Sequence, residues 1–113
     1  MKQGIIVLTP FPFTDLSTSK RRPAIILSAD NEKKTDVVVA YISSKITDHL
    51  TETDYLLRST DKNFSDKGLL KDSVFKLNKL VTVDKSLFTG ELGFVSKEIL
   101  DELLFRLKKV FGI

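Results

Sequence analysis

The spacing of apolar residues changes once along this chain, and that change limits the fold more than any other feature. Up to residue 95 the apolar residues come in short runs between turn formers; after Ser96 they come at helical spacing. Ile99, Leu100, Leu103, Leu104, Leu107, Val110 and Phe111 fall at steps of 1, 3, 1, 3, 3 and 1, which is one helical face. Ser96 is suited to cap that helix and Val95 to pack back on Leu100. Glu98, Asp101 and Glu102 precede Arg106, Lys108 and Lys109, the order a helix dipole favours.

Before the helix, Ile5–Leu8 and Ala24–Leu27 are continuous apolar runs, the pattern of strands buried on both faces. Residues 36–42, β-branched and aromatic, give the strongest strand signal. Shorter strands are predicted at 55–57, 73–77 and 80–83. Between the first two strands, Thr9 to Leu16 holds Pro10 and Pro12, which remove donors and push Thr9 and Phe11 into extended conformations, so an ordered loop with aromatic content is expected. Ser43 to Thr53 reads as a hydroxyl-rich connection. Residues 59–67, with Asp61, Asn63, Ser65 and Asp66 ahead of Gly68, read as a turn or long loop. Six or so short strands and one terminal helix imply a mainly β fold, a small, partly open barrel covered by the helix, in a single domain spanning 1–113.

Several chemistries are excluded by what the chain lacks. It has no cysteine, so disulfides and thiolate metal sites are absent and a reducing compartment, with the cytoplasm as default, is expected. His49 stands alone, which leaves no zinc set and no Cys-His pair, and the five glycines are too scattered to cradle a nucleotide's phosphates. No cofactor or metal is expected. The apolar stretch after Gly4 is too short for a signal peptide, and no run reaches membrane-spanning length. Eighteen Lys and Arg against fifteen Asp and Glu give a net charge of +3, which permits a polyanionic partner.

Two stretches carry candidate chemistry. The cations Lys20, Arg21 and Arg22 lead into Pro23 and a buried strand. Such a run is most often solvated surface charge. Here the following proline holds Arg22 extended on a rigid base, and a guanidinium so placed suits bidentate contact with phosphate. The second stretch is the exit of the 36–42 strand, Tyr41-Ile42-Ser43-Ser44-Lys45. Its serines are ordinary strand-end residues on the plain reading. Alternation puts them on opposite faces, so only one can share a cleft with Arg22. Phe11 and Phe13 are either core plugs or stacking partners for single-stranded bases.

The order Gly4-Ile5-Ile6-Val7, Pro10 through Ser17 (PFPFTDLS), Lys20-Arg21-Arg22-Pro23-Ala24, Ile42-Ser43-Ser44, Lys71-Asp72-Ser73-Val74 and Thr82-Val83-Asp84-Lys85 resembles the MazF/PemK toxins of type II toxin-antitoxin systems over nearly the whole chain. The resemblance implies an SH3-like barrel with a C-terminal helix. It also implies a homodimeric, metal-free, sequence-specific endoribonuclease acting on single-stranded RNA and neutralised by a cognate antitoxin. The family's catalytic arginine maps onto Arg22 and its catalytic hydroxyl onto Ser43. Phe13, Lys20, Arg21, Ser44, Lys45, Asn78 and Lys79 are then candidate RNA-binding residues. Two departures stand out: Gly4-Ile5 where relatives have Gly-Asp, and Asn78-Lys79 where many have an acid and a glutamine, which implies an altered base preference. The alternatives are a non-catalytic barrel toxin that poisons a protein such as a topoisomerase, and an RNA-binding module without activity.

Overall fold

The computed structural model describes residues 2–10 and 21–113. Its strands are β1 (Ile5–Pro10), β2 (Arg21–Ile26), β3 (Asp36–Ser43), β4 (Asp54–Leu57), β5 (Ser73–Asp84) and β6 (Gly90–Phe94), followed by helix α1 (Lys97–Phe111). They form one antiparallel sheet in the order β4-β5-β3-β2-β1-β6, curled into a half-barrel. The mainly β barrel with a C-terminal helix is therefore the observed fold.

The apolar runs are continuous because both faces of the sheet are buried. Ile6, Ile25, Ala40, Ile42, Phe75 and Leu77 join Leu103 of α1 in one core. Val7, Ala24, Ile26, Val37, Val39 and Val83 form a second core on the opposite face. Period-two alternation along β3 divides Val37 and Val39 from Ala40 and Ile42, as expected.

The structure corrects or sharpens the local expectations at four places. The segments 73–77 and 80–83 are not two strands but halves of β5, joined through a bulge: Ala40 pairs with Leu80 and Tyr41 with Lys76, leaving Leu77, Asn78 and Lys79 between. Extra residues of this kind bend a strand, and here they let β5 serve both ends of a curled sheet. Thr9 and Pro10 belong to β1 rather than to a loop, paired with Arg22 and Arg21, so β2 begins three residues earlier than its apolar run. Of the expected turn or long loop, residues 64–67 wind into a 3-10 turn. Finally, β6 was not anticipated, because its sequence, GELGF, is poor in strand formers.

Glycine explains β6. A Cβ at Gly93 would run into the Asp66 and Lys67 backbone, and one at Gly68, which has φ +69°, into the Leu92 carbonyl. The 3-10 turn and β6 thus meet backbone to backbone. Lys67, 2% exposed, closes that turn by donating from Nζ to the Asn63 carbonyl at 2.8 Å and the Lys62 carbonyl at 3.3 Å.

Helix α1 starts as its sequence requires, with the Ile99 N–H donating to Ser96 Oγ at 3.3 Å, and ends at Gly112 in the left-handed region. Its apolar face is only partly covered: Leu103 is fully buried, Leu100 and Leu107 are half-buried and Phe111 is 61% exposed. Arg106 ties it to β4, donating from Nη1 to the Asp54 carbonyl at 2.7 Å and from Nε to Glu102 at 2.8 Å. Among the described residues no helix is long and apolar enough to cross a membrane.

Candidate active site

The start of β2 and the end of β3 lie side by side at one end of the half-barrel. Ala24 pairs with Tyr41, Ile25 with Ala40 and Ile26 with Val39. The ladder stops at Ala24 because Pro23 has no N–H to give. Continued two steps, the register places Ile42 across from Pro23 and Ser43 across from Arg22.

Beside these strand ends opens a cleft of about 370 Å³. Leu8, Pro23, Ile42, Leu69 and Leu92 give it apolar walls, and Arg22, Tyr41, Ser44, Lys71 and Ser73 bring polar groups to it. Its volume is that of a small-molecule site, and a few polar groups set among apolar walls are the usual composition of one.

Among the described residues, Arg22 carries an unsatisfied buried atom. Its side chain is half-buried, and Nε is buried with no hydrogen-bond partner among the described residues. Buried polar atoms are nearly always bonded, so this nitrogen marks a guanidinium, on a residue that lines the cleft, that the fold leaves incompletely satisfied. The surrounding groups are fixed. The Ser73 hydroxyl donates to the Lys71 carbonyl at 2.8 Å, and the Ser59 N–H donates to the Asp72 carboxylate at 2.6 Å, which holds that carboxyl below its ordinary range. Lys79 places its ammonium 5.8 Å from the centre of the Tyr41 ring. Among the described residues, no group of three or more acids or histidines is placed to hold a metal ion.

A family profile described as PemK-like, MazF-like toxin of type II toxin-antitoxin system matches residues 2–111. The chain belongs to this family. Solved structures share its fold. A mycobacterial endoribonuclease in complex with its cognate antitoxin superposes with a TM-score of 0.75 at 18% identity, covering 100% of this chain and 96% of that one. The Mycobacterium tuberculosis toxin MazF-mt6 gives 0.70 at 18%, covering 98% of each. A MazE-MazF structure from Deinococcus radiodurans gives 0.72 at 18%, covering 100% and 96%. No curated protein sequence matches the chain.

For a MazF-like chain, the sequence candidates divide into three groups. Arg22 and Ser44 line the cleft, and Lys79 stands beside it over Tyr41. Ser43 is not among the described residues lining it; it is 8% exposed, and its Oγ accepts the Lys45 N–H at 3.1 Å. Arg21 is directed elsewhere, donating from Nη1 to the Leu87 carbonyl at 3.0 Å. Lys45 and Asn78 are exposed and do not line the cleft as described. Phe11, Phe13 and Lys20 lie outside the described residues.

Tyr41, Leu70 and Lys71 were missed as site residues. Tyr41 had a signal, since it belongs to the strand exit that also holds Ser44. Leu70 and Lys71 had none, because their placement depends on the contact between Gly68 and β6.

Proposed function

We propose that the chain is a toxin that cuts single-stranded RNA at defined short sequences, without a metal ion, by attack of a ribose 2′-hydroxyl on the adjacent phosphorus. The observation that carries this reading is the buried, unpartnered Nε of Arg22 at the cleft. As the 2′-oxygen gives up its proton and bonds to phosphorus, and the bond to the 5′-oxygen breaks with that oxygen taking up a proton, negative charge gathers on the non-bridging oxygens. A guanidinium fork binds two such oxygens, and preorganised donors of this kind usually contribute most to lowering the barrier.

Ser43 is the proposed second donor. Its register sets it across from Arg22, and acceptance of the Lys45 N–H leaves the hydroxyl proton free to donate. Hydrogen bonds in such chains strengthen one another. Phe13, Lys20, Arg21, Ser44, Lys45, Asn78 and Lys79 are proposed to seat the strand on either side.

The toxin is proposed to act in the cytoplasm as a homodimer, silenced by an antitoxin whose acidic, partly disordered tail covers the cationic cleft. The test is incubation of the purified protein with a mixed RNA pool followed by sequencing of the new ends. Cuts at one short motif are the expected result; an intact pool contradicts it.

A further inference from the structure

The turn between the 3-10 helix and β5 is held at several points, yet it presents two exposed side chains, Leu70 and Lys71. Lys67 grips the carbonyls of Lys62 and Asn63, Gly68 abuts the Leu92 backbone, Ser73 holds the Lys71 carbonyl, and Asp72 is engaged by Ser59. On this support Leu70 is 99% exposed and Lys71 is exposed, both lining the cleft that holds Arg22. Among the described residues the Lys71 ammonium makes no hydrogen bond or ion pair, its neighbour Asp72 being turned to Ser59. A flexible loop would fold Leu70 inward and leave Lys71 to solvent; a pinned one holds an aliphatic face and a cation side by side.

We infer that Leu70 and Lys71 form a nucleotide seat next to the scissile phosphate, Lys71 holding a neighbouring phosphate and Leu70 covering a base face. This rests on the RNA-cleaving reading of the same cleft. An acidic peptide offers charge to Lys71 as well. RNA is favoured because Arg22, whose guanidinium fork suits a phosphate, lines the same cleft, and because a flat base matches the apolar walls of Leu8, Pro23 and Leu92. Lys71 is then a substrate-binding residue that acts on affinity and not on the chemical step.

The test is fluorescence anisotropy with a mixed-sequence 2′-O-methyl oligoribonucleotide, which binds but lacks the attacking hydroxyl. It is titrated at several salt concentrations with the wild type, Lys71→Met, Leu70→Ser and a distant control, Lys97→Met. Lys71→Met is expected to reduce the slope of log affinity against log salt by about 0.7 and to weaken binding by about two- to fivefold, the range of one exposed ion pair. Leu70→Ser is expected to weaken binding with the slope unchanged, and Lys97→Met to match the wild type. On cleavable RNA, Lys71→Met is expected to raise KM and leave kcat within about twofold.

A Lys71→Met slope equal to the wild type's overturns the inference. So does an unchanged RNA slope accompanied by lost affinity for a polyglutamate peptide. The expected binding differences in a protein that leaves cleavable RNA whole would overturn the ribonuclease reading and keep the seat. A wild type that binds no RNA would overturn both.

Discussion

Ser43 lies in the same row of the sheet as Arg22, two residues beyond the last pair that joins β2 to β3. The row continues to Thr9 on one side, paired with Arg22, and to Val74 on the other, paired with Ser43. Ser44 points off that row and lines the cleft. The two serines therefore offer different donors, and their mutants separate them. Ser43→Ala is expected to lower kcat by about 10² to 10³, as loss of one preorganised donor does, and Ser44→Ala by less than about tenfold. Single-turnover cleavage of one defined oligoribonucleotide measures both, and the reverse ranking would move the second donor to Ser44.

Gly93 meets the 3-10 turn backbone to backbone, because its hydrogen is all that fits against the Asp66 and Lys67 backbone. Gly93→Ala is expected to destabilise the fold by about 1–3 kcal/mol, the usual range for forced overpacking. Gly90→Ala on the same strand, where nothing lies within 4 Å of an added Cβ, is expected to be nearly silent. Thermal melting of the two variants compares them, and equal melting points would contradict the backbone contact between β6 and the 3-10 turn.

Asp72 and Asp84 both have carboxyls held below their ordinary range, by bonds from Ser59 and from Ser86 respectively. A depressed carboxyl contributes stability that is complete above its unfolded value and is lost as pH falls through that value towards the folded one. The unfolding midpoint in urea is therefore expected to decline as pH drops below about 4. Asp72→Asn is expected to decline less. A mutant whose acid limb parallels the wild type's would remove Asp72 from that account.

Metal removal is expected to change nothing. Among the described residues the cleft offers a guanidinium, an ammonium and hydroxyls but no carboxylate, a set better suited to an anion than to a cation. Cleavage after treatment with EDTA is expected at the rate of the untreated protein, and loss of activity restored by a divalent cation would contradict the mechanism.

Much of this fold is legible in the sequence because burial on both faces writes itself as continuous apolar runs, and a helix as a 3.6-residue period. Strands β1 and β3 and the capped start of α1 follow from those patterns alone. What escapes is set by tertiary contact. The bulge at Leu77 to Lys79 depends on the curl of the sheet, and β6 depends on glycines whose role is close approach. The exposure of Phe111 reflects how far along α1 the half-barrel extends, which periodicity does not encode. At the site, the pre-proline position of Arg22 is legible, while its orphaned Nε and the placement of Lys71 are not, because both depend on how distant segments meet.

The most direct measurement is cleavage by Arg22→Ala beside the wild type, on one RNA carrying the motif found by end sequencing, with melting curves recorded on the same preparations. Among the described residues Nε makes no hydrogen bond, so the melting point is expected to hold while cleavage falls below detection. A folded Arg22→Ala protein that still cuts at the wild-type rate would contradict the claim that this guanidinium stabilises the reacting phosphate.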